Sequence, residues 1–308
     1  MIDINNLTVR YGRLTAVRDL SIHLPRGELF GFIGPNGAGK TTTMKVLSCL
    51  LAPTRGSAAV DGLDVRKDAD AVRRVVGFMP DFLGVYNDLT VSEYLQFFAA
   101  AFRVPRGKRP PLIDEVLELT DLTAKKHALV DSLSRGMQQR LGVARVLVHD
   151  PKVLLLDEPA SGLDPRARIE LRELLRELGK MGKTIVVSSH ILSELHDFCT
   201  SIGIVEKGRL VFSGAIEDAF RAAGGEERIT VRVEGDPETA RAALAADSRV
   251  LAARVEDGAV VVDLEDGSHG HHFLIERLLA AGARIDSFSP RARKLEEVFL
   301  KLTKGHVQ

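Results

Sequence analysis

Tryptophan is absent from these 308 residues, cysteine occurs only twice, and aromatic residues make up 5% of the chain. Two cysteines, Cys49 and Cys199, are too few for a disulfide framework, which suits a reducing cytoplasm. Both fall in stretches expected to be helical, where cysteine acts as a small buried apolar residue. Neither sign of charge is in excess: Lys plus Arg and Asp plus Glu each number 42. No overall basic balance therefore favours nucleic acid or an anionic membrane, and no nucleic-acid partner is expected. No apolar run approaches the roughly 18 residues that a membrane helix needs. The opening Met-Ile-Asp-Ile-Asn-Asn also lacks the basic-then-apolar layout of a signal peptide. If the protein works at a membrane, another chain is expected to supply the span.

What the chain does have is a 45% hydrophobic content, enough for a sizeable core, and a length that suits about two domains. Its most informative stretch is Gly34-Pro35-Asn36-Gly37-Ala38-Gly39-Lys40-Thr41-Thr42. This fits G-x-x-x-x-G-K-[ST], in which glycines let backbone N–H groups converge on phosphate oxygens. Lys40 adds a cation at the terminal phosphates and Thr41 is placed to ligate Mg²⁺. A buried strand is expected before it, Glu28 to Ile33, and a helix after it, Lys40 to Leu50, whose positive end faces the phosphates. The motif implies a nucleotide without saying what the nucleotide drives.

Short strands are expected at Ile4 to Val9, Val17 to Leu24 and Leu29 to Ile33. Tyr11, in a turn before the phosphate loop, either stacks on adenine or serves as a core or turn tyrosine; base stacking is worth roughly 1–3 kcal/mol. An edge hairpin over Ser57 to Gly62 and a strand over Val75 to Met79 follow. The pattern then turns helical at Thr90 to Phe102, Leu112 to Leu119, Ala124 to Ala128 and Arg135 to Val148, so residues 81–150 form a helical insertion in an α/β core. Ser134 is a natural N-cap for the last of these helices. Val153-Leu-Leu-Leu-Asp157-Glu158 reads as a strand buried on both faces that delivers two carboxylates to its C-terminal edge, where the phosphate loop also lies. Thr184 to Ser189 repeats that layout and brings His190 to the same edge, after a charged helix over Arg166 to Gly179.

Gly224-Gly225-Glu226-Glu227 reads as a linker between residues 1–222 and 227–308. Beyond it the order is β-α-β-β-α-β, a small α+β ferredoxin-like unit, and a last amphipathic helix carries Leu295, Val298, Phe299 and Leu302 on one stripe. His269, His271 and His272 suggest either a metal or a solvated helix start; nothing nearby completes a ligand set.

Taken together, Gly34 to Thr42, Leu133 to Gln139, Leu154 to Pro159, Ser161 to Asp164 and His190 resemble, in order and spacing, the ATP-binding cassette of ABC transporters over about Ile2 to Phe220. The tail ending Leu295 to Thr303 is similar to the extension of drug-, antibiotic- and polysaccharide-type exporter ATPases whose permease is a separate chain. The resemblance implies a P-loop NTPase fold: a mixed-sheet core with an antiparallel β subdomain and the helical insertion. It implies ATP and Mg²⁺ as cofactors. Two cassettes would pair head to tail, each ATP lying between one phosphate loop and the partner's Ser134 and Gly136, with Asp164 bridging the protomers. Asp157 would hold Mg²⁺ through water, Glu158 would be the general base, and His190 would hold the γ-phosphate and the attacking water in line. The expected partners are a transmembrane permease and a second cassette, which puts the protein peripherally at the cytoplasmic face of the membrane.

Two positions depart from the family pattern. Asp81 stands where glutamine is usual, and it either coordinates Mg²⁺ directly or does not. Arg135 stands where glycine is usual, and it either points to solvent or adds charge near the nucleotide. Phe82, Leu83, Val85, Tyr86, Tyr94, Phe97 and Phe98 concentrate aromatic and aliphatic side chains that either fill the helical insertion or line a groove for a permease helix. The other functions to weigh are an ABC-type ATPase acting on ribosomes or DNA, and a nucleotide-dependent regulator without turnover.

Overall fold

The computed structural model describes residues 1–303 apart from 82, 83, 85, 87, 192–194, 196, 197, 223–226, 265–269 and 291–294. The chain divides into two compact units, one built on Met1–Ile216 and the other on Glu217–Leu302. Each has its own apolar core.

The first unit runs β1 (Ile2–Tyr11), β2 (Leu14–Leu24), β3 (Leu29–Ile33), α1 (Lys40–Leu47), β4 (Arg55–Val60), β5 (Leu63–Asp64), α2 (Ala69–Val75) and β6 (Val76–Met79). It continues with α3 (Val91–Ala101), α4 (Arg109–Leu119), α5 (Arg135–Leu147), β7 (Val153–Asp157), α6 (Pro165–Lys180), β8 (Thr184–Ser189), β9 (Ser201–Glu206) and β10 (Arg209–Ala215). Two sheets result. The smaller has the order β2-β1-β4-β5 and is antiparallel. The larger has the order β10-β9-β3-β8-β7-β6 and is parallel except for β10.

Sequence pattern accounts for the difference between the sheets. In β2 the buried positions include Val17, Leu20, Ile22 and Leu24, separated by exposed polar residues, so one face meets the core and the other meets water. In β7 and β8 every residue is buried, as expected of central parallel strands covered on both faces. Leu154, Leu155 and Leu156 are fully enclosed, and each contributes about 1.5–3 kcal/mol of apolar burial.

Between the sheets' strands lies the helical segment. Thr90 caps α3 reciprocally with Glu93: its hydroxyl accepts from the Glu93 N–H, and its own N–H donates to the Glu93 carboxylate at 2.8 Å. The expected helix at Ala124 to Ala128 is instead a single 3-10 turn, Thr123–Lys125, closed by i→i+3 bonds such as Lys126 N–H to Thr123 O. Helix α2 has no counterpart in the expected layout; Val75 ends it rather than starting the next strand. Helix α1 stops at Leu47, short of Leu50, because Cys49 has left-handed backbone (φ 58). Neither Cys49 nor Cys199 lies in a helix. Cys199 is buried against the backbone of β3, and that burial pushes its thiol pKa up.

The second unit contains β11 (Glu227–Glu234), a helix Pro237–Ala245, β12 (Val250–Glu256), β13 (Ala259–Leu264), a helix His272–Ala280, β14 (Arg284–Pro290) and a helix Leu295–Leu302. Its sheet is antiparallel with the order β12-β13-β11-β14. Ile229, Val231, Val260, Val262, Phe273, Leu274 and Leu278 form its core. Glu227, expected in the linker, is the first residue of β11, and the rest of that linker lies outside the described residues. His269 lies outside them too; His271 is the N-cap of the helix that His272 opens. In the final helix Val298 is buried and Phe299 and Leu302 are half-buried, while nothing is described of the Leu295 side chain.

Candidate active site

Strand register decides what meets at the larger sheet's C-terminal edge. Ile33 of β3 pairs with Ser189 of β8, and Asp157 of β7 pairs with Ser188, so the loops after β3, β7 and β8 leave side by side. The loop after β3 is Gly34 to Gly39, and it feeds α1. Gly39 has φ 104, and a Cβ there would lie 2.7 Å from the Ala16 carbonyl oxygen, so only glycine fits. Gly37 has φ 80 with open space where a Cβ would be, leaving its backbone accessible.

That loop forms one wall of a cleft of about 510 Å³. Pro35, Asn36, Gly37, Ala38, Gly39, Lys40, Thr41 and Thr42 line it, together with Tyr11, Leu14 and Ala16 from the β1–β2 hairpin and with Asp81 and Glu158. Tyr11 ends β1 and is 46% exposed at the cleft, a position open to stacking. Gly34 lies beneath: its carbonyl accepts from Lys40 Nζ at 2.6 Å. Leu14 and Ala16 are wall residues that the sequence did not single out.

The charges at this edge form one connected set. Lys40 is buried, with Nζ 3.4 Å from Glu158 Oε1. Glu158 has left-handed backbone (φ 49), which turns the chain sharply after β7. Its other carboxylate oxygen lies 2.8 Å from His190 Nδ1. Ser188 Oγ donates to Asp157 Oδ1 at 2.6 Å and accepts from the Glu158 N–H at 2.9 Å, so one buried hydroxyl fixes both acids. Asp157 Oδ2 is buried without a partner in the described protein. Burial raises the Asp81 pKa above the ordinary carboxylate range, and the charges of Asp157 and Glu158 raise it further, while Arg135 and His190 oppose them. Asp157 and Asp81 are near enough to interact, and the unused buried lone pair of Asp157 suits a divalent cation, while no cluster of three or more His, Cys, Asp or Glu side chains among the described residues forms a metal site of its own.

Sequence reasoning did not single out Ser188: it is a plain strand residue near the end of β8, and only the β7–β8 register sets its hydroxyl against Asp157. Ser188→Ala is expected to lower ATP turnover about 10–100-fold, as loss of a group that orients functional side chains commonly does. Steady-state hydrolysis across a Mg²⁺ titration checks this, with the loss partly restored at high Mg²⁺.

Ser134, Gly136 and Asp164 do not line the cleft. Ser134 caps α5 by accepting from the Met137 N–H at 3.3 Å. A Cβ at Gly136 would lie 3.0 Å from Ala167 Cβ, so α5 and α6 start against each other. The Asp164 carboxylate caps α6, accepting from the Ala167 N–H at 2.9 Å. Arg135 lays its guanidinium over Gly162, where a Cβ would be 2.3 Å from its central carbon, and its charge reaches Asp81. Of the aromatic group, Tyr94 is core and packs edge-on against Phe98 at 5.0 Å. Tyr86 and Phe97 are about half exposed and meet each other at 5.4 Å. Phe82, Leu83 and Val85 lie outside the described residues.

Residues 17–161 match the family model described as ABC transporter. The linearmycin resistance ATP-binding protein LnrL of Bacillus subtilis (strain 168) is 30% identical over 308 residues, covering 98% of each chain. The Nod factor export ATP-binding protein I of Burkholderia pseudomallei (strain 1710b) is 38% identical over 303 residues, covering 98% of this chain and 96% of that one. Among solved structures, an ATP-binding subunit of an ABC transporter superposes with a TM-score of 0.67 at 28% identity, over 73% of this chain and 94% of the other. The dimeric bacterial ABC transporter cassette MJ0796 gives 0.65 at 26% identity, over 70% of this chain and 99% of its own. With a phosphate loop, paired acids and a histidine meeting at one sheet edge, and relatives matched along nearly their whole length, the chain belongs to the ATP-binding proteins of the ABC transporter family and is an ATPase.

Proposed function

We propose that this chain is the ATP-hydrolysing subunit of a membrane exporter whose permease is a separate polypeptide, and that it works as a pair of cassettes. One observation carries the reading: Glu158 is held between Lys40 at 3.4 Å and His190 at 2.8 Å on the wall of the phosphate-loop cleft. In that position Glu158 takes the proton of the attacking water, and His190 orients both that water and the Glu158 carboxylate. Lys40 and the N–H groups of Gly37 to Thr42 bind the β- and γ-phosphates, and Tyr11 stacks on the base. Mg²⁺, held by Thr41 and Asp157 with Asp81 beside them, would neutralise charge on the phosphate oxygens.

Ser134 and Gly136 stand outside their own chain's cleft, and we assign them to the γ-phosphate bound by a partner cassette. Residues 1–222 form the cassette, with 81–150 as its helical subdomain, and residues 227–308 form a ferredoxin-like accessory domain, a reading supported by its β12-β13-β11-β14 order. No described helix is long and apolar enough to cross a membrane, and a peripheral seat at the cytoplasmic face follows from the permease partnership. Export is favoured by relatives named for Nod factor export and linearmycin resistance. Affinity-tagged chain expressed in its own host is expected to copurify with a multi-span membrane protein that raises its ATPase rate. Recovery without any membrane protein, at a rate unchanged by membranes, would contradict the proposal.

A further inference from the structure

The outer face of the smaller sheet carries a second cleft, of about 400 Å³, lined by Thr8, Arg10, Thr15, Arg18, Asp19 and Arg55. Three strands build it. Arg10 of β1 pairs with Thr15 of β2, and Thr8 of β1 pairs with Arg55 of β4. The register shifts beside Thr8 on both sides and beside Arg10 on the β2 side, the kind of irregularity that re-aims side chains in a sheet.

Many arginines elsewhere in the described chain face a carboxylate, as in Arg26–Asp61, Arg140–Asp121, Arg228–Asp263 and Arg249–Asp247. Among the described residues Arg10, Arg18 and Arg55 form no ion pair and no side-chain hydrogen bond. The cleft's single carboxylate is already engaged: Asp19 accepts from Thr8 Oγ1, inside the cleft, at 3.3 Å and lies 4.0 Å from Arg209 outside it. Three guanidinium groups thus share the cleft with one carboxylate, an excess of positive charge. Guanidinium groups lining one cleft suit an anion that has acceptors only and the geometry to take guanidinium forks, which describes a phosphoryl group.

We propose that Arg10, Arg18 and Arg55 form a second anion site, distinct from the nucleotide cleft, that binds a phosphate-bearing ligand, either a free phosphorylated molecule or the headgroup of an anionic lipid. The assignment is independent of the transport reading above, since it uses neither the phosphate loop nor a partner chain. Both sites draw on the β1–β2 hairpin, which carries Tyr11, Leu14 and Ala16 to the nucleotide cleft and Arg10, Thr15 and Arg18 to this one.

The test uses the full chain with Lys40→Ala, which weakens the phosphate loop, compared with the same chain also carrying Arg10→Ser, Arg18→Ser and Arg55→Ser. Pyrophosphate is titrated by calorimetry, and vesicles of phosphatidylcholine with and without phosphatidylglycerol are sedimented with each protein. Pyrophosphate is expected to bind the first protein and to bind the serine protein at least about tenfold more weakly, a difference of about 1.4 kcal/mol. Retention on phosphatidylglycerol vesicles that is lost with the serines identifies a lipid headgroup; discrimination by pyrophosphate alone identifies a free ligand. Each single Arg→Ser change, at an exposed site, is expected to weaken binding with an unchanged melting temperature, and Arg→Lys to weaken it less. The proposal is overturned if neither probe distinguishes the serine protein from its parent.

Discussion

Glu158→Gln is expected to lower steady-state ATP hydrolysis by about 10²–10⁴-fold while nucleotide still binds, because the change removes the proposed proton acceptor and keeps the shape. Glutamine preserves the size of a side chain that is mostly enclosed and flanked by Lys40 and His190. It also removes one of the charges that raise the Asp81 pKa, so Asp81 becomes easier to ionise and the Mg²⁺ requirement should not rise. Single-turnover hydrolysis measured beside fluorescent-nucleotide binding separates the two effects. A variant that bound ATP normally and hydrolysed it at the wild-type rate would remove Glu158 from the role of base.

Lys40→Ala has a second, different consequence. The ammonium is buried, anchored to Gly34 O at 2.6 Å, and 3.4 Å from Glu158 Oε1. Breaking an enclosed pair by removing one partner costs about 3–5 kcal/mol in the least favourable cases. A phosphate contact of the same size, lost with the ammonium, would be about 150- to 5,000-fold in ATP affinity. Glu158 loses its cation at the same time, so the variant is expected to melt below the wild type. In the Glu158→Gln background the same change is expected to cost less stability, since no unpaired carboxylate is left behind. A thermal-melt double-mutant cycle reads this coupling, and additive losses would mean that the Lys40–Glu158 contact carries no energy.

Much of the site was legible in the sequence because its parts are local. A glycine loop between a strand and a helix, three leucines before two acids, and a histidine after another apolar strand each announce their position by pattern alone. Parallel β7 and β8 needed no contact information to be placed centrally, because continuous burial leaves a strand few other places. What the sequence did not disclose depends on register. Ser188 is a plain strand serine until β8 is laid beside β7 and its hydroxyl falls against Asp157. Arg135 meets Gly162 only because α5 and α6 begin against each other at Gly136 and Ala167. Short elements were also hidden: α2 spans seven residues, and its single fully buried side chain, Val72, gives too little periodicity to read. The early end of α1 turns on one left-handed residue, Cys49, of a type that seldom adopts that conformation.

Ser134 and Gly136 stand apart from the cleft that holds Lys40 and Glu158, and the proposed pairing of cassettes makes them the partner's contribution. Sedimentation velocity of the Glu158→Gln protein tests this most directly. A shift from monomer to dimer on adding ATP, absent with ADP and abolished by Ser134→Arg, is the predicted result. A Glu158→Gln protein that binds ATP and still sediments as a monomer would contradict it.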